Sequence, residues 1–243
     1  GLNTGGMGAI SPVPFADSVL MGKIERKIVK PTVDGLKTDN LPYVGFIFIG
    51  LIKVGDEPKV IEYNVRMGDP ETEVGIPRLK SDLVDVLLAM ANGTLDQIDL
   101  QIDERTATTV MAVSGGYPEA YEKGKEITGA ENIQDSIVFH AGTKMSNGKV
   151  VTNGGRVIAV TSFGKDFKEA LKTSYQNMEK LHFDGMYYAL VLFTVLVENL
   201  QLAHPVHHRH KTDDHKNPVN GVGTPPAVHK PEKIQWCEKV VYK

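Results

Sequence analysis

The chain has 243 residues, of which 41% are hydrophobic and 23% charged, enough apolar material for one large domain or two small ones. A formal net charge of -3 gives no basic field for a polyanion, so nucleic acid is not an expected partner. The single cysteine, Cys237, excludes an internal disulfide and suits a reducing, cytoplasmic setting.

In chain order, Gly1 to Gly8 reads as a glycine-rich loop. It has neither the basic start nor the apolar segment of a signal peptide, and further chain is expected upstream of it. Asp17 to Leu36 has helical spacing through Val19, Leu20, Ile24, Ile28 and Val29, with Pro31 predicted to break or offset the helix. Tyr43 to Val54 is a predicted strand, Gly55-Asp56-Glu57-Pro58 a turn, and Lys59 to Arg66 the return strand of a hairpin. Asp69-Pro70 suits an N-cap followed by proline at the first helical position, and Glu71 adds a favourable charge there. A periodic helix from Asp82 to Met90 stops at Asn92-Gly93.

The stretch beyond Gly93 reads as a second, smaller unit. Its predicted strands are Thr106 to Val113, ending at Ser114-Gly115-Gly116-Tyr117-Pro118, and Ser136 to Ala141. A pair, Val150 to Thr152 with Arg156 to Thr161, brackets Asn153-Gly154-Gly155, and Phe167 to Leu181 is an amphipathic helix. Strands interleaved with helices make the fold class α+β, and no repeat is visible. Met186 to Val197 is apolar but only about a dozen residues long, against roughly twenty for a bilayer-spanning helix, so no membrane is expected. The remaining stretch holds His204, His207, His208, His210, His215 and His229 among prolines and glycines. It has no consistent four-ligand spacing and reads as a solvated tail rather than a metal site.

The chemistry concentrates in Val60-Ile61-Glu62-Tyr63-Asn64-Val65-Arg66-Met67-Gly68-Asp69-Pro70-Glu71. Successive strand residues face opposite sides, so Glu62, Asn64 and Arg66 are predicted on one face and Ile61, Tyr63 and Val65 on the other. At about 3.3 Å per residue, the Glu62 and Asn64 backbones lie about 7 Å apart, which lets a carboxylate and an amide oxygen bind one cation. Magnesium at a nucleotide takes one or two protein oxygens and completes its shell with phosphate and water, leaving Arg66 to clamp another phosphate oxygen. The same alternation also suits an amphipathic edge strand with a solvated polar face.

Further segments appear in a definite order: Asn3-Thr4-Gly5-Gly6-Met7-Gly8-Ala9 with Ser11-Pro12, Pro31-Thr32-Val33-Asp34-Gly35, Gly45-Phe46, and Leu79-Lys80-Ser81-Asp82-Leu83. Later come Gly115-Gly116-Tyr117-Pro118, Phe139-His140-Ala141-Gly142-Thr143 and Val151-Thr152-Asn153-Gly154-Gly155-Arg156-Val157. With the strand at Lys59 to Glu71, this ordered set resembles the phosphoribosylamine–glycine ligase family, or glycinamide ribonucleotide synthetases, of the ATP-grasp superfamily. The resemblance covers about Gly1 to Tyr188. It implies the C-terminal part of an ATP-grasp domain at 1–95, a small α+β C-terminal domain at 96–188, and an unmatched tail at 189–243.

The resemblance also implies a reaction: glycine joined to 5-phosphoribosylamine with ATP, through a glycyl phosphate, releasing ADP and phosphate in purine biosynthesis. Under it, Glu62 and Asn64 would hold Mg2+ or Mn2+, and Arg66 would be the catalytic residue that stabilises phosphate oxygens. Asn3, Thr4, Gly5, Gly6, Met7 and Gly8 would form a substrate loop, although a plain tight turn suits the same glycines. Arg156 is a candidate ribose-phosphate contact or a solvated hairpin arginine. Asp69 orients substrate or Arg66, or caps a helix. His140 is expected as a core histidine and Tyr117 equally as a packing residue.

Leu2 departs from the proline usual in the family, and the family's N-terminal domain and ATP-covering subdomain fall outside this stretch, so the fragment is expected to be inactive alone. The tail continues where the family closes near Phe183-Asp184-Gly185, as a frameshift, a misplaced exon, a read-through or a lineage-specific extension would produce. Two other readings stand beside the first: another ATP-grasp carboxylate–amine ligase, and a non-catalytic module that binds partners through Met186 to Val197.

Overall fold

The structure, a computed structural model, describes residues 2–189 and the backbone of Val240–Tyr242. The histidines from His204 to His229 and the apolar stretch beyond Ala189 lie outside the described residues. After the short strand β1 (Gly8–Ser11), Asp17 starts helix α1 (Ser18–Ile24) by accepting a hydrogen bond from the Leu20 N–H at 2.8 Å. The helical path does not break at Pro31. A π-helical turn at Glu25–Val29 leads directly into α2 (Lys30–Thr38), with Pro31 in its first turn. Proline removes one N–H and pushes away the carbonyl four residues back, and the wider turn just upstream absorbs both effects.

β2 (Gly45–Val54) and β3 (Glu57–Asn64) form an antiparallel hairpin. Its turn is only Gly55-Asp56, with Gly55 at φ +59, so Glu57 and Pro58 belong to the strand rather than to the turn. The α1–α2 segment lays Leu20, Ile24 and Ile28 onto Ile47, Ile49 and Leu51 of β2, forming one apolar cluster. The backbone of β10, Val240–Tyr242, pairs antiparallel with β2 at Gly45 to Ile47. A four-residue helix, α3 (Thr72–Gly75), comes next, then α4 (Leu83–Asn92), capped by Asp82 at 2.7 Å from Val84 N–H and ended by Gly93 at φ +68.

The later sheet is built around β4 (Thr106–Val113), every residue of which is buried. It pairs with β1 on one side and β8 (Arg156–Gly164) on the other; β5 (Ser136–His140) continues the sheet beyond β8, and β9 (Tyr187–Tyr188) pairs with the end of β4. β1 thus comes from the start of the chain yet is a strand of this later sheet. Helix α5 (Phe167–Met178), capped by Asp166 at 2.9 Å from Glu169 N–H, covers one face. Beneath it Val110, Ala112, Ile158 and Val160 meet Leu171, Met178, Leu181 and Phe183. On the other face Met111, Val113 and Ala159 pack with Met7, Tyr117 and Phe139. Within the α5 layer, Ser174 bonds Ser162 at 2.9 Å and Asn177 bonds Ser136 at 2.6 Å, so these buried polar groups have partners.

Two expectations change in this half. Residues 150–152 do not pair with 156–161: β6 (Thr143–Ser146) and β7 (Lys149–Thr152) form their own hairpin. The cue was Asn147-Gly148, at φ +49 and +75, the dipeptide that a two-residue hairpin turn favours. His140 is exposed rather than in the core, because β5 is the edge strand; its Nδ1 lies 3.1 Å from Thr143 Oγ1.

Candidate functional site

β3 carries a bulge. Val60 pairs with Leu51 and Glu62 with Gly50, leaving Ile61 as the extra residue, after which Tyr63 sits opposite Ile49 and Asn64 opposite Phe48. Glu62 and Asn64 therefore share a face with Gly50 and Phe48. Tyr63 turns to the helical side, where its hydroxyl lies 3.0 Å from Thr32 Oγ1. Gly50 keeps the other side open, since a Cβ there would come within 3.0 Å of Glu62 Cγ. Glu62 is exposed and Asn64 half-buried. A carboxylate and an amide oxygen on an open face are hard donors that fit Mg2+ or Mn2+, with the rest of the shell left to phosphate and water. Among the described residues no group of three or more His, Cys, Asp or Glu is placed to hold a metal, so a closed all-protein cage is not what this strand offers.

The strand ends at Asn64, two residues short of the predicted limit, and Arg66 follows in a bend. Its exposed guanidinium donates from Nη1 to the adjacent Met67 carbonyl at 2.9 Å. The face set by alternation therefore carries Glu62 and Asn64, and Arg66 stands beyond its end.

Phe48 connects this face to a second cluster, because a Cβ on Gly68 would lie 2.8 Å from its ring. The next residue, Asp69, does not cap a helix. Its carboxylate accepts from Arg156 twice, Nη1 to Oδ1 at 2.9 Å and Nη2 to Oδ2 at 2.8 Å. Nη1 also reaches the Asp69 carbonyl at 3.1 Å and the Gly6 carbonyl at 3.3 Å. A bidentate, charge-assisted pair is stronger than one bond to a backbone N–H, and α3 starts only at Thr72 with no side-chain cap. Arg156 is the first residue of β8, where Val113 pairs with Arg156 and Ala112 with Ile158, so Val157 is bulged. Its side chain is only 23% exposed, unlike a hairpin arginine in solvent. Bulges thus stand beside Glu62 and beside Arg156, and a bulge is a common means of re-aiming a side chain at a site.

The glycine loop closes over this ion pair. Gly5 N–H donates to the Tyr117 hydroxyl at 2.8 Å, and the Met7 carbonyl accepts from Met111 N–H at 3.0 Å. A Cβ on Gly6 would be 2.2 Å from Pro70 Cδ, so only glycine allows this approach. Asn3 and Thr4 are exposed, and Gly8 opens β1. The structure thus brings Gly5, Gly6, Asp69 and Arg156 together and adds Tyr117, which nothing in the sequence separates from a packing aromatic.

Glu71 is not the exposed helix-end charge that its position suggests. It is 2% exposed, and its Oε2 accepts no hydrogen bond among the described residues. Burial raises its pKa above the ordinary 4.5 against the pull of its own backbone N–H; Asp69 and Glu73 add to the rise and Arg156 opposes it. The Glu73 pKa is also raised, first by burial. A carboxyl with a raised folded-state pKa costs no stability below the ordinary value and progressively more as pH rises through the raised one. Glu71→Gln removes that titration. The stability of the variant relative to the wild type, read from urea midpoints, should therefore grow as pH rises from about 4 to about 8. A pH-independent difference would show that Glu71 ionises normally.

Residues 1–72 match phosphoribosylglycinamide synthetase, ATP-grasp (A) domain, and residues 107–189 match phosphoribosylglycinamide synthetase, C domain. The phosphoribosylamine–glycine ligase of Caldanaerobacter subterraneus subsp. tengcongensis is 43% identical over 188 residues, which cover 77% of this chain and 45% of that protein. A bifunctional purine biosynthetic protein of Pichia angusta is 49% identical over 190 residues, covering 77% of this chain and 24% of that one. The crystal structure of phosphoribosylamine–glycine ligase from Thermotoga maritima shares the fold with a TM-score of 0.69 and 38% identity, over 77% of this chain and 46% of its own. This chain therefore spans about half the length of the ligases it matches. The α+β fold is the later part of an ATP-grasp enzyme with its C domain, and two successive matches to one enzyme lead to one conclusion: the chain belongs to the phosphoribosylglycinamide synthetase family.

Proposed function

We propose that this chain supplies the cation-binding strand and the small C-terminal domain of an ATP-dependent ligase that joins glycine to 5-phosphoribosylamine in purine biosynthesis. The observation that carries this reading is the meeting of Gly6, Asp69 and Arg156 next to the face that bears Glu62 and Asn64. Oxygen donors for a cation stand beside N–H donors for an anion. The same reading divides the sequence near residues 95 and 188 and sets the enzyme in the cytoplasm; among the described residues no helix is long and apolar enough to cross a membrane.

When bound, Mg2+ or Mn2+ supplies positive charge that offsets the negative charge of ATP as its terminal phosphoryl group transfers. Glu62 and Asn64 place that charge on the open side of β3. Arg66, in the bend beyond the strand, exchanges its bond to the Met67 carbonyl for charge-assisted bonds to phosphate oxygens. Asn3, Thr4 and the backbone from Gly5 to Gly8 receive the second substrate at close range. Arg156 has five N–H donors; it fixes Asp69 and Gly6 and turns what remains of its fork toward the ribose phosphate. No side-chain nucleophile is required, because the substrate amine itself attacks the activated glycine carboxyl.

The test joins this chain behind the N-terminal half of the Caldanaerobacter ligase and follows ADP release in a coupled assay. ADP should form only when glycine, phosphoribosylamine and a divalent cation are all present. ADP release that is indifferent to omission of either amine substrate would overturn the reading.

A further inference from the structure

We infer that Tyr117 is the positioning residue of the glycine loop, through which the small C-terminal domain sets the shape of a substrate-contacting segment of the ATP-grasp part. The role of the loop in substrate contact rests on the function proposed above; the hold that Tyr117 has on the loop does not.

Leu2 to Met7 form no helix or strand, so ordering this backbone requires hydrogen bonds from elsewhere. Three consecutive residues find them more than a hundred positions further on, in and around the later sheet. Gly5 N–H donates to the Tyr117 hydroxyl at 2.8 Å, the Gly6 carbonyl accepts from Arg156 at 3.3 Å, and the Met7 carbonyl accepts from Met111 N–H at 3.0 Å. The last two lie close to a strand and an ion pair that exist for other reasons. The bond to Tyr117 is different, because it is made by a half-buried side chain that is itself positioned through both its ring and its backbone.

The Tyr117 ring lies so close over Gly155 that a Cβ there would be 2.1 Å from Cδ2. Its N–H donates to the Ser114 carbonyl at 3.0 Å, and Ser114 Oγ donates to the Gly154 carbonyl at 2.8 Å. Its carbonyl accepts from the Tyr187 hydroxyl, and its ring meets Tyr121 edge-on with centroids 6.2 Å apart. The hydroxyl is therefore delivered to a fixed point, and Gly5 has no freedom to sit elsewhere on it: a Cβ on Gly5 would lie 2.9 Å from Arg156 Cζ and 3.2 Å from the Tyr117 hydroxyl. A rigid acceptor over a segment without secondary structure selects one loop conformation among many, so the cost of ordering that segment is met before substrate arrives.

The substitution that isolates the hydroxyl is Tyr117→Phe, which keeps the ring on Gly155. In the full chain, amide hydrogen exchange by NMR should show Gly5 exchanging at least about tenfold more slowly than Thr4, and Tyr117→Phe should remove that protection while leaving the β4 amides unchanged. In this chain joined to the N-terminal half of the Caldanaerobacter ligase, titration with glycinamide ribonucleotide should show affinity weakened by about tenfold in Tyr117→Phe. A role in packing alone predicts the opposite, since phenylalanine would then restore wild-type exchange and affinity. Equal exchange of Gly5 and Thr4 in the wild type would overturn the proposal even if the variant failed to fold. If the wild type bound no glycinamide ribonucleotide, the functional reading would fall, and the exchange data would still decide the part played by Tyr117.

Discussion

Glu62→Ala, in this chain joined to the N-terminal half of a relative, should lower cation-dependent ADP formation by roughly a hundredfold to a thousandfold. Of the two oxygen donors on the open face of β3, Glu62 is the charged one. Asn64 alone offers a neutral amide, too weak to keep a hard dication beside a polyphosphate. Glu62 is exposed, and a surface substitution away from caps, core and special backbone typically changes stability by less than about 0.5 kcal/mol. The loss should therefore appear in turnover with the unfolding midpoint unchanged. Glu62→Gln, which keeps shape and removes charge, should behave like alanine, whereas near-normal turnover at saturating Mg2+ in either variant would remove Glu62 from the mechanism.

Phe183→Ala should have the largest effect on stability. Phe183 is 1% exposed and, among the described residues, heads the fully buried side chains by volume. It packs in one cluster with Val110, Ile158, Leu171 and Met178. Removing a buried phenylalanine costs about 3–5 kcal/mol through lost transfer energy and the cavity left behind. Against a total of about 5–15 kcal/mol for a domain, that is a large share. Urea unfolding monitored by circular dichroism measures it. Phe183→Leu should recover a large part of the loss, and an unchanged midpoint for the alanine variant would place Phe183 outside the core.

The strength of local signals decided what could be read from sequence. Asp82 with Gly93, and Asp166, mark helix ends through single hydrogen bonds to nearby backbone, so α4 and the start of α5 follow from residue order. β4 is legible because a strand covered on both faces must be apolar or small along its whole length. Alternation correctly puts Glu62 and Asn64 on one side of β3, since both lie beyond the extra residue Ile61. It could not foresee that bulge, nor the end of the strand before Arg66, because both depend on pairing with β2 rather than on β3 itself.

The rest was hidden by distance along the chain. Asp69 looked like a helix cap because the residues around it are those of a cap; the guanidinium that takes its carboxylate is 87 residues away. Glu71 reads as a favourable charge at a helix start for the same reason, whereas its burial first, with Asp69 and Glu73 adding to it, raises its pKa. His140 was misjudged, because its strand proves to be an edge, whereas Tyr117 packs as one of its two readings has it and its hydroxyl adds a distant contact that the sequence does not signal.

The loop that precedes β1 is held by bonds whose partners lie 112 and 150 positions further on. Contacts of such high order form late in folding, because the entropy of closing so long a segment must be overcome before they return anything. The residues before β1 are therefore among the last of the described residues to be ordered. A chain interrupted between β1 and β4 would lack Met111, Tyr117 and Arg156 alike, so order in this loop reports that the later sheet has formed around it.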